Sequence, residues 1–403
     1  MSAPGHSEFT AGLAPGENLA VLRKAHGLTQ AQLARRAAVS LSLLSKIEVG
    51  DRALTPAVAA ALGKPMGLTV AEVLGEAAVH QEAEESLTDL RSALRDYDVP
   101  TERTVTDSDL RDGVMRASAL RDAFDVARLT QLLPNLLRDA TAHAFAVHSA
   151  EAWNSLAEAY SAVYWLAARH RWMDMAELAV TRQRWAVHQR ADPLGAAIAD
   201  RDRAGAYLNG GDYEGGLSLV ERAIVAAQSS PSLSGRERAF AVGVLNLRGM
   251  TLAGRLEDKS EGRREAERHI RSAWNAAEEL AGVEWHRHSM IFGVRNTTTH
   301  VLATRLDLGS PREALAMAAD VDAALADLTP TRVAATRINL ARAGLDVGDR
   351  DGALTNLRIA WETAPQMART NPMGREVFRV VSSLHRRSNP ELLRTAKLAG
   401  IPL

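Results

Sequence analysis

From residue 17 onward, apolar side chains recur every three to four positions, the period of helices that bury one face. Glycine and proline fall between the periodic segments rather than inside them, and no convincing alternating run marks a strand. The pattern predicts an all-α protein. Residues 17–75 read as five short helices, followed by a polar helix over 81–97, "QEAEESLTDLRSALRDY". The next loop, "DVPTERTVTDSD", carries Pro100 and mixed charge, so 76–109 is expected to be a helical linker. Helical period resumes near 110 and continues to the end.

The long second part repeats. "YLNGGDYEGGLSLVERAI" (207–224), "RLDLGSPREALAMAADV" (305–321) and "GLDVGDRDGALTNLRIAWETAP" (344–365) share one plan. A helix ends at a glycine (Gly211, Gly309, Gly348) suited to a left-handed C-cap. Asp212, Ser310 and Asp349 are placed to cap the helix that follows. Small residues at Gly216, Ala314 and Ala353 let the paired helices approach closely. Units of about 34 to 45 residues are the signature of stacked helical hairpins. The plan resembles the tetratricopeptide repeat, best over 331–365, where Leu340, Ala341, Gly348, Ala353, Leu357, Ala360 and Pro365 take the family's spacing. The resemblance implies a right-handed helical-hairpin solenoid over 110–403. Its hairpins would start near 151, 194, 235, 289, 331 and 373, with a less regular helical lead-in over 110–145 and an insertion, "GRLEDKSEGRRE" (254–265).

The front module has its own logic. "NLAVLRKAHG" forms a first helix with Leu19, Leu22 and Ala25 inward, and Thr29 caps a second, "QAQLARRAA". Ser40 caps a third, "LSLLSKIE" (41–48), while Leu33, Ala34, Val39, Leu44 and Ile47 supply a core. Thr55 and Pro56 open a fourth helix, "AVAAALGK", and "TVAEVLG" is the fifth. "GLTQ", the "LA" four residues on and "VS" before "LLSKIEVG" resemble the Cro/CI-type helix-turn-helix family over about 60 residues. The resemblance implies that the third helix enters the major groove of double-stranded DNA. Carried over residue by residue, it places Ser40, Leu41, Ser42, Ser45 and Lys46 toward the groove and Gln30 at the backbone or a base edge. Arg23, Lys24, Arg36 and Arg52 become candidates for phosphates, which position without specifying. Three features depart from the family pattern. Ala38 stands where glycine is usual, Pro65 interrupts an apolar helix, and Leu41 can offer only apolar contact to a thymine methyl. The bland alternative is a fold of this type that serves only for pairing or docking.

In a tetratricopeptide stack the first helix of each hairpin lines the concave groove. That mapping places Arg201, Asp202, Asn246, Asn296, Thr299, His300, Asn339 and Arg342 there as candidate ligand contacts. Asparagine can both donate to and accept from a peptide backbone, so the set suits a peptide or small-molecule effector. The same residues could equally be the polar lining of a solvated face. Trp153, Trp165, Trp172 and Trp185 cluster in the first clear hairpin, as core filling or as binding anchors.

Composition narrows the classes. The chain has 403 residues and no cysteine, which removes disulfides, thiolate metal sites and cysteine nucleophiles. In "EWHRH" (284–288) the spacing is wrong for metal ligands on one helical face, so no metal and no cofactor is expected. No phosphate-binding glycine loop, nucleophile elbow or His-Glu-x-x-His motif occurs, which argues against an enzyme. No apolar run approaches a membrane span, and "MSAPGHSEFTAGLAPG" (1–16) lacks the form of a signal peptide. It reads as a disordered arm on a cytoplasmic protein. The net charge of −1 conceals an excess of about three positive charges within 17–75. Together these features resemble regulators that join a Cro/CI-type module to a tetratricopeptide sensor, including the peptide-sensing RRNPP group and an actinobacterial set. "LRSALRDYDVP", "FGVRNTTTH" and "NPELLRTAKLAGI" are closer to the latter. The expected function is a homodimeric transcriptional regulator that reads a palindromic operator and responds to an effector in its groove. The alternative is a regulator whose repeats dock a protein partner and take no small effector.

Overall fold

A computed structural model describes residues 15–399, apart from 53, 55, 69–72, 74, 75, 171 and 385–388. Residue contacts divide the chain into two units, 1–89 and 90–403. Most of the expected N-terminal arm, Thr55 and nearly all of the fifth helix, "TVAEVLG", lie outside the described residues.

The first unit contains α1 (Pro15–Ala25), α2 (Gln30–Arg36), α3 (Leu41–Glu48) and α4 (Pro56–Gly63). Thr29 builds a full capping box at α2: its hydroxyl accepts from the Gln32 amide, and the Gln32 side chain accepts from the Thr29 amide. Ser40 caps α3 by accepting from the Leu43 amide at 3.1 Å. These caps satisfy amides that have no partner within a short helix, and so fix where each begins. Leu19, Leu33, Ala34, Leu44, Ile47 and Leu62 form the core, with Val39 partly buried against it. Leu22 is only half-buried and Ala25 is exposed, so α1 turns a narrower face inward than its sequence period suggests. Pro65 ends α4 as expected: the helix gives way at Lys64–Met66 to a tight 3-10 turn, closed by Gly67 at φ 70°.

Ala38, in the turn between α2 and α3, has φ 55°. A β-carbon in that conformation costs about 1–2 kcal/mol. Ala38→Gly is therefore expected to stabilise this unit by about 0.5–1 kcal/mol after glycine's greater chain entropy is counted. Hydrogen exchange of the α2 and α3 amides in the full chain should slow several-fold; unchanged or faster exchange would show that the turn carries no strain.

The helix α5 (Glu76–Arg95) runs through the division between the units. Past its end, Tyr97 packs edge-on against Trp185 at 4.8 Å, and the Arg182 guanidinium lies 3.3 Å from the Tyr97 ring centre. Arg103 pairs with Asp139 at 2.6 Å. Residues 90–109, part of the stretch read as linker, thus pack within the second unit.

That unit is a run of helix pairs. They are α6 (Asp107–Asp122) with α7 (Val126–Val147), α8 (Ala150–His170) with α9 (Met173–Gln189), and α10 (Pro193–Gly210) with α11 (Tyr213–Ser229). Next come α12 (Gly235–Ala253) with α13 (Lys259–Glu279), and α14 (Val294–Asp307) with the broken helix α15 (Pro311–Ala316) and α16 (Ala318–Leu325). After α17 (Pro330–Val347) with α18 (Arg350–Thr363) and the short α19 (Met367–Thr370) come α20 (Pro372–Leu384) and α21 (Pro390–Ala399). The lead-in over 110–145 is itself a hairpin. Gly211, Gly309 and Gly348 take φ values of 82°, 77° and 88°, as their C-cap role requires. Asp212 and Asp349 cap their helices, but Ser310 does not; its hydroxyl accepts from Arg263 at 2.6 Å instead. At Gly216 a β-carbon would stand 3.2 Å from Tyr207 Cβ on the paired helix and 2.8 Å from Leu252 on α12, so a small residue suits both contacts.

Among the described residues, one element departs from the all-helical expectation. The hairpin expected to begin near 289 begins at 294, because 285–292 forms an antiparallel β-ribbon. Its strands β1 (Trp285–Arg287) and β2 (Met290–Phe292) are joined through His288 and Ser289, both at positive φ. Three-residue strands are too short for alternation to show in a sequence. The array also closes on itself. The Ala127 amide donates to the Gln366 side chain at 3.2 Å, Gln366 donates to Asp125 at 3.0 Å, and the Thr331 hydroxyl donates to the Arg121 carbonyl.

Candidate nucleic-acid interface and arginine-lined cavity

In the first unit, α3 buries Leu44 and Ile47 and leaves Leu41, Ser42 and Lys46 exposed, with Ser45 half-buried. Leu41 is 49% exposed, an unusual position for leucine that the core does not account for. Lys24, Arg36 and Arg52 are also exposed. The Ser40 oxygen is engaged as the helix cap, so what it can add toward a partner is its proton.

Arg23 has a different place. It is 8% exposed and grips Glu48 with two parallel bonds, Nε to Oε1 at 2.6 Å and Nη2 to Oε2 at 2.8 Å, while Nη1 donates to the Leu28 carbonyl at 2.8 Å. A guanidinium used on three sides cannot also hold a phosphate, so the expected contact at Arg23 is replaced by an internal lock. Gln30 joins it by donating to Glu48 at 2.8 Å. Burial works against the charge on Glu48, but the hydrogen bonds from Arg23 and Gln30 outweigh it and leave its pKa lowered. The lock ties α1 and the start of α2 to the end of α3. The sequence signal was present, an arginine in "VLRK" and a glutamate ending "SKIE", but nothing local shows that they meet across 25 positions.

In the second unit, a cavity of about 610 Å³ lies where the array closes on itself. Of the sequence candidates it gathers Arg201, Asp202 and Asn296. The others are accounted for elsewhere. Asn246 is buried against His269 (2.8 Å) and donates to its own helix at the Val242 carbonyl. The Thr299 hydroxyl returns to the Asn296 carbonyl, as those of Thr297 and Thr298 return to carbonyls four residues back. Arg342 pairs with Asp307 at 3.0 Å. Neither Asn339 nor His300 lines the cavity. His300 lies within the field of the cavity arginines; burial, then the charges of Arg332, Arg201 and Arg248, hold its pKa well below the ordinary value.

Five arginines not anticipated complete the lining: Arg121, Arg169, Arg248, Arg255 and Arg332. The overlooked signal was recurrence, since α8, α10, α12 and α17 each contribute one arginine from the first helix of a pair. Asp202 is fully buried, accepting from Ser161 at 2.7 Å, Gln183 at 3.3 Å and Arg201 at 2.7 Å. Trp153 and Trp185 meet each other (5.4 Å) and Phe145 in packing, whereas Trp165 lines the cavity with Arg169 lying 3.7 Å from its ring centre.

The β-ribbon borders this cavity through Ser289, Met290 and Ile291. Its tip is held to α8: His288 Nδ1 lies 3.1 Å from Glu158 Oε1, and Ser289 donates to Glu158 Oε2 at 3.1 Å. Burial opposes the charge on His288, but the hydrogen bond and charge of Glu158 together prevail and raise its pKa. A raised folded-state pKa means that this contact contributes fully below the ordinary histidine range, near 6.5, and is lost as pH rises through the higher folded value. The ring protons of His288 should titrate above 6.5 by NMR, and at lower pH in Glu158→Gln than in the parent, because the carboxylate that opposes burial is gone while Asp192 and Arg287 remain. A titration that Glu158→Gln does not move would refute the pairing.

Residues 16–74 match the family described as "Helix-turn-helix domain". This segment is a helix-turn-helix domain. It stands ahead of the helical-hairpin array, the arrangement that the sequence resemblance implied. No curated protein matches the chain. Among solved structures, Bacillus thuringiensis PlcR in complex with the peptide PapR7 and DNA aligns over 78% of this chain and 99% of its own, at 13% identity and a TM-score of 0.36. The PrgX/iCF10 complex aligns over 96% and 98%, at 10% identity and a TM-score of 0.28. Scores this low transfer no functional property. Among the described residues no helix is long and apolar enough to cross a membrane.

Proposed function

We propose that the chain is a sequence-specific DNA-binding transcriptional regulator of the cytoplasm, acting as a homodimer on a palindromic operator, with an effector-responsive helical array. The carrying observation is the matched helix-turn-helix domain with α3 turning Leu41, Ser42 and Lys46 outward while Leu44 and Ile47 enter the core. In this reading Ser42, Ser45 and Lys46 meet base edges, Leu41 meets a thymine methyl, and Lys24, Arg36 and Arg52 meet phosphates. The effector, a small molecule or peptide, binds the array and modulates operator affinity by favouring one of two states of the protein.

Fluorescence anisotropy of the full chain on duplexes from beside its own gene tests the reading. Lys46→Ala is expected to weaken binding and to reduce the log–log salt slope by about 0.9 if Lys46 meets a phosphate. A contact to a base would instead flatten discrimination at one operator position by about 1–3 kcal/mol. Binding that is blind to sequence and unaltered by Lys46→Ala would sink it.

A further inference from the structure

We propose that the cavity of the helical array is a binding site for a compact organic polyanion, one bearing phosphoryl groups or several carboxylates. The inference rests on the effector-responsive reading above and gives the effector its chemical class.

Among the described residues, six arginines line the cavity, against two carboxylates, Asp122 and Asp202. Two of the six are already paired, Arg201 with Asp202 at 2.7 Å and Arg255 with Asp307 at 3.1 Å. Among the described residues, Arg121, Arg169, Arg248 and Arg332 have no carboxylate at ion-pair distance. Arg121 is 6% exposed, and its Nη1 has no hydrogen-bond partner; nor has Nε of Arg248 or Oδ1 of Asn296. Buried charges without partners are costly and are kept where they have a task. Burial, followed by repulsion from Arg201, lowers the pKa of both Arg248 and Arg332 to about 10.

The packing holds these groups in place. A β-carbon on Gly205 would stand 2.0 Å from the Tyr164 hydroxyl and 2.9 Å from Arg248 Nη2, so the glycine makes room for both. Arg169 is fixed over the Trp165 ring and by its bond to the Trp165 carbonyl at 2.9 Å. Guanidinium forks match the paired oxygens of phosphate and carboxylate. The volume is that of a small-molecule pocket. The positive charge gathers in one cavity formed by hairpins far apart in sequence rather than being strung along a groove. That arrangement favours a compact polyanion over an extended chain.

The test is calorimetric titration of the full chain with sodium tripolyphosphate and, separately, with citrate, at constant ionic strength. At least one is expected to bind saturably and to raise the melting midpoint. Stronger binding of tripolyphosphate marks a phosphoryl ligand, and stronger binding of citrate a polycarboxylate. Arg248→Met with Arg332→Met should weaken binding at least tenfold, while the unliganded double variant melts no lower than the parent because mutual repulsion has been relieved. Lys46→Ala should leave the titration unchanged, which separates this site from the helix-turn-helix domain. Failure of both probes to bind, or undiminished binding by the double variant, would overturn the proposal. Because operator binding is not part of the readout, such a failure is distinct from failure of the DNA-binding reading.

Discussion

Arg23→Ala is expected to destabilise the helix-turn-helix domain by about 3 kcal/mol, since it leaves a buried carboxylate without its partner. Glu48 closes α3, and Arg23 reaches it from α1 while also holding the Leu28 carbonyl ahead of α2. Its loss should therefore unfasten the exposed face of α3 as well as weaken the core. Amide exchange in α2 and α3 should accelerate by roughly two orders of magnitude, with operator affinity falling in step. Arg23→Lys should fall between, because an ammonium cannot form the two parallel bonds. Glu48 carries a lowered pKa, so its contribution is present above the ordinary glutamate range and lost as pH falls through the lower folded value. Loss of operator binding in Arg23→Ala with unchanged exchange would return Arg23 to a direct DNA contact and refute the lock.

Asp202→Asn is expected to be the most damaging isosteric change in the array. Asp202 is fully buried, accepts from three side chains and is one of two carboxylates against six arginines in the cavity. Removing its charge leaves Arg201 unpaired among like charges, at a cost of about 3–5 kcal/mol. The melting midpoint of the array should drop by roughly 5–10 °C. Added tripolyphosphate should raise the midpoint of this variant more than that of the parent. A midpoint within a degree of the parent's would show that the cavity needs no internal counter-charge.

Local chemistry made much of the architecture readable. Thr29 and Ser40 announce helix starts by their capping chemistry, and Gly211 and Gly348 announce helix ends by their left-handed backbone. The outward residues of α3 came from the family resemblance, and the helix agrees with them by burying Leu44 and Ile47 and exposing Leu41, Ser42 and Lys46. Long-range pairing was not readable. Polarity on a first helix suggested ligand contacts at Thr299 and Asn246, yet a threonine hydroxyl can close onto its own helix, and Asn246 met His269. The cavity depends on Thr331 at the start of α17 reaching the Arg121 carbonyl at the end of α6 where the array closes, and no local pattern encodes that closure. The β-ribbon escaped because its turn, through His288 and Ser289, uses positive φ without the glycine or asparagine that usually signals it.

The most direct test of the central claim is selection of bound duplexes from a random DNA pool by the full chain at physiological salt. A regulator reading DNA through α3 of two copies should enrich one motif with two inverted half-sites about 10 base pairs apart, and Ser42→Ala should change the preference within each half-site. A bound pool that remains random in sequence, or an enriched motif that Ser42→Ala and Lys46→Ala both leave intact, would contradict it.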